Sequence, residues 1–147
     1  MSSPLHPQTG TEPAFSTRIA TRWRDLDVFN HVNNSNFLTY LEETRILWFQ
    51  SLDMEWVNDA FAPLLASVHM DYRQPIPYPG DVLVQLFITR TGSSSMTIGH
   101  RIVDSTDGNV LYCDGNVVMV WIDLATQRPM PLPEHIRALG NPGPRSN

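Results

Sequence analysis

Asp25, Asp27, His31, Asn33 and Asn34 crowd into the run Asp25-Leu-Asp-Val-Phe-Asn-His-Val-Asn-Asn34, a combination suited to attack on a carbonyl group. Such chemistry needs a base or nucleophile at the carbonyl carbon and hydrogen-bond donors where negative charge gathers on the oxygen. A carboxylate in a loop that runs into a helix supplies both. The first-turn amides have no partner in their own helix, and the helix dipole is positive at that end. Asn33 and Asn34 are good caps, and the pattern from Ser35 predicts a helix to about Leu52. The same residues have plainer uses. An Asp ahead of a helix is ordinarily a turn or capping residue. His31 is expected to satisfy the loop's own hydrogen bonds, and Asp25 to hold the loop or pair with Arg22 or Arg24.

Other chemistry is thinly represented. All ten cations are Arg, so a lysine Schiff base and a GxxxxGK[ST] phosphate loop are both excluded. Cys113 is the single cysteine and lies on an apolar parity, which predicts a small core residue and excludes a disulfide framework. His69, His100 and His135 have no metal-ligand spacing, and no metal or cofactor is expected. Glu42 and Arg45 fall three residues apart on the expected helix and read as a structural pair.

Arg24-Asp25-Leu26-Asp27-Val28-Phe29-Asn30-His31-Val32-Asn33-Asn34, followed by Phe37, Tyr40-Leu41-Glu42-Glu43 and Arg45, resembles the 4-hydroxybenzoyl-CoA thioesterase family of hotdog-fold acyl-thioester hydrolases. The Asp-Leu-Asp and His-Val-Asn-Asn pieces are also similar to the plant acyl-carrier-protein thioesterases. The resemblance implies Asp27 as the catalytic carboxylate, attacking directly or activating water, and the backbone amide of Asn34 as the donor to the carbonyl. It allows His31 an assisting role. Phe29 stands where the plant enzymes carry a catalytic asparagine, so that role does not transfer. The resemblance further places Arg90, Ser94 and Ser95 near the CoA phosphates, with Arg73 a second candidate for the nucleotide end. It implies a homodimer or dimer of dimers, with the site built at the subunit interface. Acyl-CoA is the expected substrate. An acyl-carrier-protein substrate, or a non-catalytic module that binds acyl-thioesters, is the alternative; no His-Phe-Pro or hydratase signature is present.

These residues need a scaffold. Phe15 to Trp23 alternates as a strand, and the helix carries Phe37, Leu38, Tyr40, Leu41, Thr44, Leu47, Trp48 and Phe49 on one broad arc, too apolar for a surface helix. Four strands follow. The second has Leu64, Ala66, Val68, Met70 and Tyr72 inward; Pro75, Pro77, Pro79 and Gly80 interrupt; then come 81–90, a strand from Met96 and a long one from Val110 to Ile122, with a bulge expected at Asp114-Gly115. The order predicts an α+β fold, a curved antiparallel sheet of about five strands wrapped around one helix.

A length of 147 residues with 41% hydrophobic residues suits one domain, expected over 14–139, with the Pro-, Gly- and Ser-rich ends 1–13 and 140–147 disordered. The net charge of -5, with its cations scattered, argues against nucleic acid. No run suits a membrane helix and no leader pattern is present, so a soluble, cytoplasmic chain is the expectation.

Overall fold

The structure, a computed structural model, describes residues 12–140. Most of both expected tails therefore lies outside the described residues. The elements in chain order are β1 (Phe15–Ala20), a 3-10 turn (Trp23–Asp25), α1 (Asn34–Ser51), β2 (Phe61–Tyr72), β3 (Asp81–Thr91), β4 (Ser95–Asp104), β5 (Leu111–Asp123), the short β6 (Arg128–Pro129) and α2 (Glu134–Gly140). The strands form one antiparallel sheet in the order β1-β3-β4-β5-β2, with β6 added beside β5. Along its concave face lies α1. Phe37, Tyr40, Leu41, Trp48 and Phe49 of the helix meet Val84, Leu86, Met96, Ile98, Ile102, Val117 and Trp121 of the sheet in one buried core. Each such side chain contributes roughly 1.5–3 kcal/mol by leaving water. An aromatic group closes the C-terminal end of α1, where Phe49 stacks on Trp56 at 5.1 Å and meets Trp121 edge-on at 6.1 Å.

The periodicity of α1 is a sound guide to its existence and less so to its cover. Leu38 and Leu47, expected on the buried arc, are 41% and 39% exposed, because the sheet wraps only one side of the helix. β2 departs further from expectation. It pairs with β5 alone, and Leu64 and Val68 are 58% and 42% exposed. A bulge between Leu65 and Ser67 reverses its parity, so that Leu65 and Val68 together line the crevice against α1.

Three local expectations also change. β1 stops at Ala20: Thr21 bonds Gly80 through both its amide and its hydroxyl, and the chain turns so that Trp23 ends 76% exposed. The β4 to β5 register slips at Tyr112, between the pairs Ile102–Cys113 and Val103–Leu111, not at Asp114-Gly115. Gly115 stays in register with His100, at φ 154°, and a Cβ there would lie 2.0 Å from the His69 carbonyl oxygen, so glycine is required for close strand approach. Lastly, α2 lies beyond what the sequence pattern predicts. Its Ile136 is fully buried, and it carries the fold through Gly140.

Candidate active site

The site grows out of the segment between the 3-10 turn and α1. Asp25 is buried and closes that turn, accepting from the Arg22 amide at 3.1 Å and from its guanidinium at 3.4 Å. Across the core, the Tyr40 hydroxyl donates to the same carboxylate at 2.6 Å. Burial pushes the Asp25 carboxyl up, but the bonds from Tyr40 and Arg22 outweigh it and leave it below the ordinary carboxylate value. The Asp25 carbonyl accepts from the Asn33 amide at 2.8 Å and the Asn36 side chain at 3.1 Å. Residues 26–32 are thus pinched into a loop whose two ends touch. Leu26 and Val32 bridge across it, and the Val32 amide bonds Ile76 at 3.1 Å.

Asp27 sits inside the pinch. Its amide donates to the His31 carbonyl at 2.9 Å and its carbonyl accepts from Asn30, which takes a positive φ of 62° that asparagine tolerates better than most residues. One carboxylate oxygen receives the Phe29 amide at 2.9 Å in a local Asx turn; the other has no protein donor among the described residues. Asn33 caps α1, its side chain accepting from the Ser35 amide at 2.9 Å. Asn34 is then the first helical residue, and its amide has no carbonyl within its own helix to bond.

Asp27, His31 and Asn34 line one open cavity of about 290 Å³ with Phe29, Phe37, Tyr72 and Arg73. Phe37 and Tyr72 meet edge to face at 5.0 Å, and the Tyr72 hydroxyl bonds the Asn34 carbonyl at 3.2 Å. A residue with a spare carboxylate oxygen and the first residue of a helix therefore line the same space, the pairing of groups that carbonyl attack needs. His31 is exposed, and its backbone, not its imidazole, holds Asp27. Arg73 lines the cavity but is engaged by Asp114 at 2.9 Å and Asp71 at 3.5 Å.

Arg90, Ser94 and Ser95 are not brought to this cavity within one chain. Tyr72 pairs with Cys113 at one end of β5, whereas Ser95 pairs with Val120 near the other. Seven residues of strand separate the two, on the order of 23 Å. Arg90 opens instead onto a depression of about 410 Å³ with Thr91 and Arg137 of α2. Arg137 donates to the Gly92 and Ser93 carbonyls at 3.2 and 2.7 Å, which fixes its guanidinium beside that depression. Sequence reasoning missed it because an isolated Arg in a short helix without a strong pattern carries no motif. Tyr40 is visible in the motif, but its position on the apolar arc marks it only as core.

The remaining titratable groups have other roles. Cys113 is buried and burial pushes its thiol up to about 12, so no thiolate nucleophile forms. Burial lowers His100 to about 3 and keeps it neutral. Arg45 is buried within the helix's apolar side, where desolvation lowers its value and the Glu42 charge works against that. Among the described residues no group of three His, Cys, Asp or Glu is arranged to hold a metal.

Comparison with known proteins gives the class. The Thioesterase-like superfamily matches over residues 21–139, and the chain belongs to it, a thioester hydrolase with the hotdog fold. It is 33% identical to the uncharacterized protein YsmA of Bacillus subtilis over 76% of this chain and 75% of that one. It is 29% identical to the long-chain acyl-CoA thioesterase FadM of Escherichia coli, over 82% of this chain and 92% of that enzyme. A solved structure from Xanthomonas campestris, assigned as an acyl-CoA thioesterase, is 44% identical, with a TM-score of 0.75 over 82% of this chain and 99% of that one.

Proposed function

We propose that the chain hydrolyses acyl-CoA thioesters to free acid and CoA, with Asp27 as the base or nucleophile and the Asn34 amide polarising the thioester carbonyl. The observation that carries this reading is the shared cavity: Asp27, which keeps one carboxylate oxygen without a protein donor among the described residues, and Asn34, the first residue of α1, line the same space in a chain of the thioesterase superfamily. The names of FadM and of the Xanthomonas protein support CoA as the carrier. In this reading negative charge built on the carbonyl oxygen is met by the helix N-terminus, while Asp27 attacks or removes a proton from the attacking water. His31 aims Asp27 through its backbone and is secondary.

The working unit in this reading is a homodimer. β2 presents a long unpaired edge with exposed Leu64, Leu65 and Val68, and α1 leaves Leu38 and Ile46 uncovered beside it. Pairing of two such edges removes both. Arg90 with Ser94 and Ser95, joined by Arg137, then serves the phosphates of a CoA bound across two protomers, and Arg73 stiffens the near wall. A panel of acyl-CoAs of rising chain length, aryl-CoAs and acyl-carrier proteins, read by free thiol release, tests the assignment. Turnover of at least one CoA ester above that of the carrier-protein esters is the expected result; tight acyl-CoA binding with no thiol release would contradict it.

A further inference from the structure

We propose that Tyr40 is a positioning residue for the Asp27 carboxylate, acting through its hydroxyl bond to buried Asp25 and touching no substrate itself; this rests on Asp27 being the catalytic group.

The connection is short and direct. Tyr40 is anchored in α1, is 1% exposed, and donates to Asp25 at 2.6 Å, the shortest of the bonds that hold this carboxylate. Asp25 lies two residues before Asp27, and its carbonyl binds Asn33, the residue before Asn34. Asp25 therefore ties together both halves of the site, its buried carboxylate fixing the residue to α1 through Tyr40 and its backbone carbonyl holding the cap that presents the amide. Asn36, also on α1, grips the same carbonyl at 3.1 Å. The tie runs from α1 to a loop that is otherwise held, among the described residues, by its own turn, the Leu26–Val32 bridge, the Arg22, Asn33 and Asn36 bonds to Asp25 and one bond to Ile76. Burial, with the Asp25 charge beside it, pushes the Tyr40 phenol well above its ordinary value, so the hydroxyl stays protonated and donates throughout the working range. The Arg22 guanidinium is half exposed and reaches the carboxylate only at 3.4 Å, so it fixes the geometry less than the Tyr40 hydroxyl does.

Tyr40→Phe removes one oxygen and keeps the ring in the core. A loop released in this way misplaces Asp27 relative to the carbonyl, and errors of this kind cost roughly tenfold to hundredfold in rate. The effect is expected in kcat, with KM within about twofold, because the cavity walls Phe37 and Tyr72 lie outside the loop, on α1 and β2.

The test is a cycle of four proteins, wild type, Tyr40→Phe, Asp27→Asn and the double variant, assayed by thiol release from an acyl-CoA, with thermal unfolding recorded alongside. Thr44→Val serves as the stability control. It removes another buried bond of the same helix, to the Tyr40 carbonyl at 2.7 Å, without touching the loop. The proposal expects Tyr40→Phe to lower kcat at unchanged KM, Thr44→Val to leave kcat at the wild-type value, and the double variant to be no slower than Asp27→Asn. Wild-type kcat in Tyr40→Phe beside a crippled Asp27→Asn would overturn the positioning role and leave the catalytic reading standing. Equal kcat losses in Tyr40→Phe and Thr44→Val, or full multiplication of the two losses in the double variant, would also overturn it, since a residue that acts through Asp27 has nothing left to position once the base is gone. An Asp27→Asn protein at the wild-type rate would remove the catalytic reading itself. If Tyr40→Phe fails to fold, Asp25→Asn takes its place in the cycle, with the same kcat losses supporting or overturning the positioning role.

Discussion

Two aspartates two positions apart are put to different uses by their surroundings. Asp25 is buried and saturated with donors, while Asp27 keeps one oxygen without a protein partner among the described residues and faces a cavity. The neighbouring asparagines divide in the same way. Asn33 contributes its side chain as the cap, whereas in the proposed reading Asn34 contributes its backbone amide. Asn33→Ala is accordingly expected to cost about 1 kcal/mol of stability, the usual value of a lost cap, read as a fall in unfolding temperature. Asn34→Ala is expected to leave both stability and turnover near wild type, although the sequence alone allows either residue to be the cap. A large loss of kcat in Asn34→Ala would mean that its side chain, not its amide, meets the substrate.

At the scale of elements, the loop between the 3-10 turn and α1 is held by an ionised carboxylate, and this makes its anchoring pH-dependent. Asp25 has a folded value below its unfolded one, so its contribution is present above the unfolded carboxylate range near ~4 and is lost as pH falls through the lower folded value. The gap in unfolding temperature between wild type and Asp25→Asn should therefore narrow from about pH 6 to about pH 3. A gap that stays constant across that range would show that Asp25 is not charged in the native state. The structural role of Asp25 was legible from the sequence, as was the course of α1, because helical periodicity over eighteen residues leaves little choice. The cover of β2 was not legible. Alternation says that two faces differ, but not whether a neighbour lies against either, and the single extra residue at Leu65/Ser67 exchanges the faces unseen. Resemblance puts Arg90, Ser94 and Ser95 at the CoA phosphates. Only the strand register reveals that a single chain holds them and the Asp27 cavity at opposite ends of β5.

The whole molecule has an uneven finish. Its concave face is filled by α1, yet one flank of that helix and the long edge of β2 leave Leu38, Ile46, Leu64, Leu65 and Val68 in contact with water. A second copy of the chain would cover both, and sedimentation at micromolar concentration should report at least a dimer. Val68→Asp, which puts a charge into the crevice between α1 and β2, should shift the protein toward monomer and lower turnover with it. An unchanged dimer in Val68→Asp would place the interface elsewhere. Whether the molecule cleaves thioesters with its loop carboxylate is decided by thiol release from acyl-CoA catalysed by Asp27→Asn. Its kcat should fall by at least ~10², the low end of what a positioned base contributes, with the fold intact and a smaller loss in His31→Ala. Turnover by Asp27→Asn at the wild-type rate, with contaminating hydrolase excluded, would contradict that role for the carboxylate.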